Sequence, residues 1–244
     1  MKKITFIIAF LMVILQGCDQ NNNINIPDGD ASFLLTSVYG SFSHSFHYKE
    51  NKISKISYVL EEMSIKKEII YNQDHQIEYY INRYEFDDLS ISVDTTFVEY
   101  QEKLIHRTTT QKYIHNLKIN EYFQYDEQHR LINVRQETIG NTARNRIYNF
   151  SYDQENNVTR LDTNTQYNLF EYDDKINPYT QIDLDIKIIL GEWSIMNVLS
   201  KNNTITKRID SSIGISNEYV YEYNAANLPM NRKDKFDITT FYVY

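Results

Sequence analysis

Apolar and polar residues alternate along most of this chain, and short runs of Asp, Asn, Gln and Lys interrupt the alternation at regular intervals. In Tyr148-Asn149-Phe150-Ser151-Tyr152 the aromatic residues fall on one face of an extended chain and the polar residues on the other; the tyrosines of Tyr219-Val220-Tyr221-Glu222-Tyr223 likewise share a face. A period of two predicts strands buried on one side. One unit recurs: an aromatic or apolar residue, a spacer, a tyrosine, a short polar turn, then an aliphatic. Its copies are Phe46-His47-Tyr48 with Ile53, Ile69-Ile70-Tyr71 with Ile77, Val98-Glu99-Tyr100 with Leu104, and Phe123-Gln124-Tyr125 with Leu131. They continue as Phe150-Ser151-Tyr152 with Val158, Phe170-Glu171-Tyr172 with Ile176, and Tyr221-Glu222-Tyr223 with Leu228. The tyrosines stand 23, 29, 25, 27, 20 and 51 residues apart, and a degenerate copy at Leu199 to Ile205 fills the last, double gap. A period near 25 holds two strands of roughly eight to ten residues and two turns, so each unit is expected to be one β-hairpin.

No hairpin can bury its apolar side alone, so the units are expected to stack edge to edge. The fold class that follows is all-β: an antiparallel meander of about 14–16 strands, curled or barrel-like because open sheets so wide tend to bend or close. The tyrosines beside the turns then form a row. Tyr71, Tyr125, Tyr152, Tyr172 and Tyr223 are its candidate ligand-facing residues, although cross-strand aromatic pairs worth about 0.2–1 kcal/mol each give the row a structural reading too. The turns, such as Asp126 to Arg130, Asp153 to Asn157 and Asn224 to Asn227, carry Asp and Asn, which tolerate the left-handed backbone. With only six glycines in the chain, asparagine is expected to fill those positions.

The start of the chain breaks the alternation. Met1-Lys2-Lys3 precedes a run from Ile4 to Leu15 that is apolar but for Thr5, and the polar tract Asp19-Gln20-Asn21-Asn22-Asn23 follows. A basic start and about a dozen apolar residues make a signal peptide, and the run falls short of the roughly 20 residues a spanning helix needs. It ends in Leu15-Gln16-Gly17-Cys18, which resembles the bacterial lipobox, with a small residue before a cysteine that is the only one in the chain. The expected organisation is a lipoprotein signal peptide over 1–17, a lipidated cysteine and flexible tether over 18–32, and one repetitive β-sheet domain over 33–244. Two or three acyl chains on Cys18 make a stable anchor where one would be marginal. Lipidation also consumes the sole thiol, which leaves no disulfide, cysteine nucleophile or thiolate metal site. The expected location is therefore a bacterial cell envelope, on the outer membrane, with its periplasmic and surface faces both open.

Composition adds two limits. Loss of Lys2 and Lys3 with the signal takes the formal charge from −8 to −10, and a strongly acidic domain repels phosphates, which excludes nucleic acid as a partner. Five alanines against 21 tyrosines and 12 phenylalanines favour strands over helices. Codon bias in an AT-rich genome would produce much of the same composition, so spacing is the better guide.

The runs at Tyr125-Asp126 and Tyr152-Asp153 resemble the tyrosine-aspartate repeats of bacterial wall-associated and toxin-shell proteins, without the glycine that precedes their aliphatic residue. Phe170-Glu171-Tyr172-Asp173-Asp174-Lys175-Ile176-Asn177-Pro178-Tyr179, followed by Lys201 to Ile205, is similar to a family of uncharacterised Bacteroidota lipoproteins. That resemblance implies a porin-like fold and an envelope compartment, and no activity.

Candidate chemistry is sparse. Gly-rich phosphate loops, His-Glu-x-x-His and Gly-x-Ser-x-Gly are all missing from the sequence. His44 and His47 lie three apart on a strand and point to opposite faces, so they do not share a metal. Asp183 and Asp185 share a face if Ile182 to Ile188 is a strand, which suits a cation or an acid–base pair as well as a solvated strand face. Asp87-Asp88 and Asp173-Asp174 are read as turn caps. The only tryptophan, Trp193, falls in the one non-repeating insertion, Asn177 to Asn197, as a contact for sugar or lipid or as a plug for the end of the sheet. The expectation is a non-enzymatic binding or assembly module without metal or cofactor, held to a lipid bilayer through acylated Cys18, its partner a glycan or envelope protein. The alternative is an envelope hydrolase with an acidic, cation-dependent site at Asp183 and Asp185, and a third reading is a transmembrane barrel.

Overall fold

The computed structural model describes residues 34–39, 43–60, 63–112, 117–140, 144–190, 198–210 and 216–244. The expected signal peptide, the lipidated Cys18 and its tether, and Trp193 all lie outside these residues. Strands β1 to β4 are Ser37–Tyr39, Ser43–Lys49, Lys52–Val59 and Met63–Tyr71. Strands β5 to β8 are Ile77–Phe86, Ile91–Gln101, Leu104–Lys112 and Leu117–Tyr125. Strands β9 to β12 are Leu131–Ile139, Arg146–Tyr152, Val158–Thr163 and Tyr167–Ile176. Strands β13 to β16 are Asn202–Asp210, Ser216–Tyr223, Pro229–Asp234 and Thr239–Val243. Among the described residues these sixteen strands form an antiparallel meander, and β1 pairs with β16 to close it into a barrel.

The repeated tyrosine marks a specific backbone event. The register shifts between residues 47 and 48, 70 and 71, 99 and 100, 124 and 125, 151 and 152, 171 and 172, and 222 and 223. Each of the seven repeat tyrosines therefore sits at a β-bulge, the device that strengthens twist and bends a strand where a barrel turns its corner. Four turns that follow share one chemistry. The Oδ1 of Asn72, Asp126, Asp153 and Asn224 accepts two backbone N–H groups, from the second and fourth residues onward, at 2.8–3.0 Å. The residue between takes positive φ: His75, His129, Asn156 and Asn227. Asparagine holds only some of the left-handed positions, because the Asx side chain ahead of them already ties the turn. Two other turns, at Glu50-Asn51 and Glu102-Lys103, place both central residues at positive φ, the two-residue hairpin type that matches strand twist. In three repeats the tyrosine does not face the aliphatic residue that follows it: Tyr100 faces Ile105, Tyr223 faces Pro229, and Tyr172 faces Thr204 of β13 while Ile176 continues β12.

The hydroxyls of the tyrosine row tie each hairpin to the one before it. Tyr48 donates to the Leu35 carbonyl at 2.9 Å, Tyr71 to Ile53 at 2.8 Å, Tyr125 to Ile105 at 2.8 Å and Tyr152 to Leu131 at 2.9 Å. Tyr172 donates to Val158 at 2.6 Å, Tyr221 to Thr204 at 3.1 Å and Tyr244 to Pro229 at 2.8 Å. Tyr223 leaves the row, since its hydroxyl binds the Asp173 carboxylate instead. Above this rim the inner face is aliphatic and aromatic, with Phe46, Ile56, Ile105, Phe123, Val134, Phe150 and Phe170 buried.

Outward faces are charged around the ring. Glu85 meets Lys66 and Arg83 at 2.8 and 2.9 Å, Glu99 meets Arg107 at 2.5 Å, Asp162 meets Arg160 at 2.6 Å and Glu171 meets Arg208 at 2.8 Å. Such exposed pairs are worth about 0–1 kcal/mol each; their importance here lies in where they stand, along the strands on the barrel's outside.

Candidate functional site

Sixteen strands can enclose a water-filled channel, but here the segment between β12 and β13 fills the lumen. It opens with the 3-10 turn Pro178–Gln181, capped by Asn177, whose side chain accepts from the Tyr179 amide, and continues into helix α1, Leu184–Ile189. Ile182, Ile186, Ile188, Ile189 and Leu190 are buried in the same core as the strands. This corrects the strand expected over 182–188. A segment inside a closed ring has no sheet edge to pair with and must satisfy its own backbone, and its apolar residues at 182, 186, 189 and 190 fit helical spacing.

Three contacts fix the plug to separate strands. Tyr179 shares a 3.0 Å hydrogen bond with buried His44 of β2, Tyr100 of β6 donates to Asp185 at 2.8 Å, and Lys67 of β4 donates to the Ile189 carbonyl at the helix end. His47, on the opposite face of β2 as expected, is exposed and contacts Ser57. At the base of the plug a polar clasp joins three segments. Asn202 and Asn157 exchange hydrogen bonds at 2.8 and 3.1 Å, the Ser200 hydroxyl takes the Val158 amide at 3.1 Å, and Asn177 donates to the Ser200 carbonyl at 3.0 Å. The Asn202-Asn203 pair is thus a structural staple as well as the start of the eighth hairpin.

On a helix, Asp183 and Asp185 no longer share a face. Asp183 is exposed and Asp185 turns toward the tyrosines. Burial, with the charge of Asp183 adding to it, raises the Asp185 carboxyl above the ordinary range against the lowering effect of the Tyr100 hydrogen bond. Burial likewise drops the Lys187 ammonium to about 8. No group of three or more His, Cys, Asp or Glu among the described residues is placed to hold a metal. An acid with a raised folded pKa disfavours the fold once the pH exceeds its folded value, and the penalty vanishes as pH falls below the unfolded value. Asp185→Asn keeps an acceptor for Tyr100, so it is expected to raise Tm by roughly 1–3 °C at pH 7 and by nothing at about pH 3.5. A loss at pH 7, read by thermal denaturation at both pH values, would show that the charge itself is needed.

Of the five row tyrosines, Tyr71, Tyr125, Tyr152 and Tyr172 spend their hydroxyls on backbone carbonyls and Tyr223 on Asp173. Burial first, and Asp183 and Asp185 after it, push the Tyr71 hydroxyl up to about 12. Asp88 caps a turn as expected, accepting from the Ser90 amide at 2.9 Å, whereas Asp173 lies within β12 instead of a turn and accepts from the amides of Lys175 and Asn203 at 3.0 and 3.1 Å.

One open space lies on the other side of the plug, at the rim away from the tyrosines. A cavity of about 290 Å³ has Ile189 and Leu190 in its lining, with walls from β3 to β9. None of the five row tyrosines lines it. Its charged residues are Lys67, Asp94, Lys112 and Glu121. Lys67, Asn82, Asp94 and Lys112 form one cross-strand row, paired in register from β4 through β7. Lys67 stands 4.6 Å over the Tyr80 ring, and Lys112 reaches Asp94 at 4.0 Å. Glu121 accepts from Thr108 and Gln136, both at 3.0 Å. Burial, then the neighbouring Asp94 charge and its hydrogen bond, push the Tyr84 hydroxyl up to about 12. Sequence reasoning missed this site, since its residues are scattered singly over separate strands.

No family model matches this chain, and no curated protein is similar to it. Among solved structures, a porin-like protein from Bacteroides uniformis is similar at a TM-score of 0.45 and 12% identity, covering 86% of this chain and 97% of the other. That likeness is too loose to carry any property across.

Proposed function

We propose that this chain is a bacterial envelope lipoprotein whose barrel stands in water and binds a ligand; it neither conducts solute nor catalyses a reaction. The observation that carries this reading is the filled lumen. The 3-10 turn and the helix, tied to β2, β4 and β6, occupy the lumen and leave a cavity of ligand size lined by polar and apolar side chains. The charged outer face supports placement in water, because a Lys or Arg at a bilayer midplane costs about 2–4 kcal/mol, and Lys66, Arg83, Arg107, Arg160 and Arg208 all face outward in ion pairs.

The lipid on Cys18 supplies the membrane attachment. The described chain joins the barrel at the tyrosine rim, where Tyr48 binds the Leu35 carbonyl and the Thr36 amide donates to Val243 at 2.7 Å.

The test is to replace residues 1–18 with an ordinary cleavable secretory signal. The natural chain should incorporate labelled palmitate and stay with the membranes, and the altered chain should be released as a soluble protein. An altered chain that still resists alkaline extraction would mean that the strands themselves enter the bilayer.

A further inference from the structure

We propose that the cavity above Ile189 and Leu190 binds one neutral sugar ring, an inference that rests on reading the chain as a binding protein. Charge balance points to this class. The two lysines and two carboxylates of the lining sum to zero, and each is already engaged by the protein. Asp94 holds Lys112 and the Tyr84 hydroxyl, Glu121 holds Thr108 and Gln136, and Lys67 caps the Ile189 carbonyl over the Tyr80 ring. A ligand with a net charge would meet a lining whose own charges already cancel, and its desolvation would go largely uncompensated.

A polyol fits the capacity that remains. An ionised carboxylate offers about four lone-pair sites and an ammonium three donors, so Asp94, Glu121 and Lys112 retain acceptors and donors after their internal bonds are counted. Asn82 adds both kinds beside them. Each sugar hydroxyl is donor and acceptor at once and can bridge such neighbours. Ile65, Ile119, Ile189 and Leu190 supply an apolar strip for the C–H face of the ring. The volume of about 290 Å³ equals roughly ten water volumes, room for one ring and its hydroxyls. Lys112, 39% exposed along its side chain against 6% for Asp94, places the mouth on the β7 side.

The experiment is titration calorimetry on the full lipidated chain in detergent, with free glucose, galactose and mannose as neutral probes and glucuronate and glucosamine, at a pH of about 6, as charged ones. At least one neutral hexose should bind with Kd in the millimolar range or tighter, about tenfold more tightly than its charged analogues. Asn82→Leu and, separately, Gln136→Ala should each weaken that binding about tenfold or more, whereas Glu99→Gln on the outer wall should not. Two cavity variants guard against one failing to fold, which thermal denaturation reveals. The sugar assignment is overturned if no hexose binds at about 50 mM, if charged probes bind as well as neutral ones, or if both cavity variants retain full binding. A charged probe bound in the cavity would overturn the ligand class alone and leave the binding reading standing. Failure of that reading shows instead in the membrane extraction above.

Discussion

Replacing Tyr71, Tyr125 and Tyr152 together by phenylalanine is expected to lower the stability of the barrel by about 3 kcal/mol. Each substitution keeps the ring and its packing and removes one hydroxyl, leaving the carbonyls of Ile53, Ile105 and Leu131 without their tyrosine partners. A net hydrogen bond contributes about 1 kcal/mol, and an orphaned acceptor costs that much or more. The three tyrosines lie on β4, β8 and β10, separated by two to four strand spacings of about 4.8 Å, far enough apart for their effects to add. In a domain of this size the sum corresponds to a fall in Tm of roughly 6–12 °C. Thermal denaturation of the triple variant checks it. A fall under about 2 °C would mean that the row holds the hairpins through ring burial alone.

The second large effect concerns the plug. Ile188 of α1 is 2% exposed and Ile105 of the wall is 0% exposed. If plug and wall are one core, Ile188→Ala and Ile105→Ala should each cost about 2–5 kcal/mol, the range for emptying a buried aliphatic site, in one cooperative transition. Urea unfolding of both variants is the measurement. A full cost for Ile105→Ala beside a cost below about 0.5 kcal/mol for Ile188→Ala would show a plug that leaves the lumen independently of the barrel. The three side-chain contacts to β2, β4 and β6 argue for the first outcome.

Much of the wall was legible because its signal is local. Alternation in Tyr148 to Tyr152 marks β10, and the Tyr-Asx pairs at 71–72, 125–126, 152–153 and 223–224 mark a bulge and the turn that follows it. Strand number implied a curled or barrel-like sheet, and closure itself rests on the pairing of β1 with β16. The plug was misread because Ile182, Ile186, Ile188 and Ile189 have strand-forming side chains, and only the absence of a free sheet edge inside a ring makes that stretch helical. The cavity was hidden for a different reason. Lys67, Asn82, Asp94 and Lys112 become neighbours only through register across four strands, and a bulge in each hairpin shifts that register in a way spacing alone does not reveal. Lys66, Lys67 and Glu68 make the point within one strand: the lysines beside each other in sequence end on opposite sides of the wall, one in the Glu85 ion pair and one under the plug.

The seam between β1 and β16 bears on how the molecule is made. Every other strand meets a sequence neighbour, so hairpins can form one after another as the polypeptide emerges, each at low loop-closure cost. The seam joins Thr36 to Val243 across 207 residues, and it cannot form until synthesis has delivered the last strand. Until then both rims of a half-built wall present unpaired backbone, the condition under which chains add to one another. Loss of the final strand alone would leave two sheet edges open at once, those of β1 and β15.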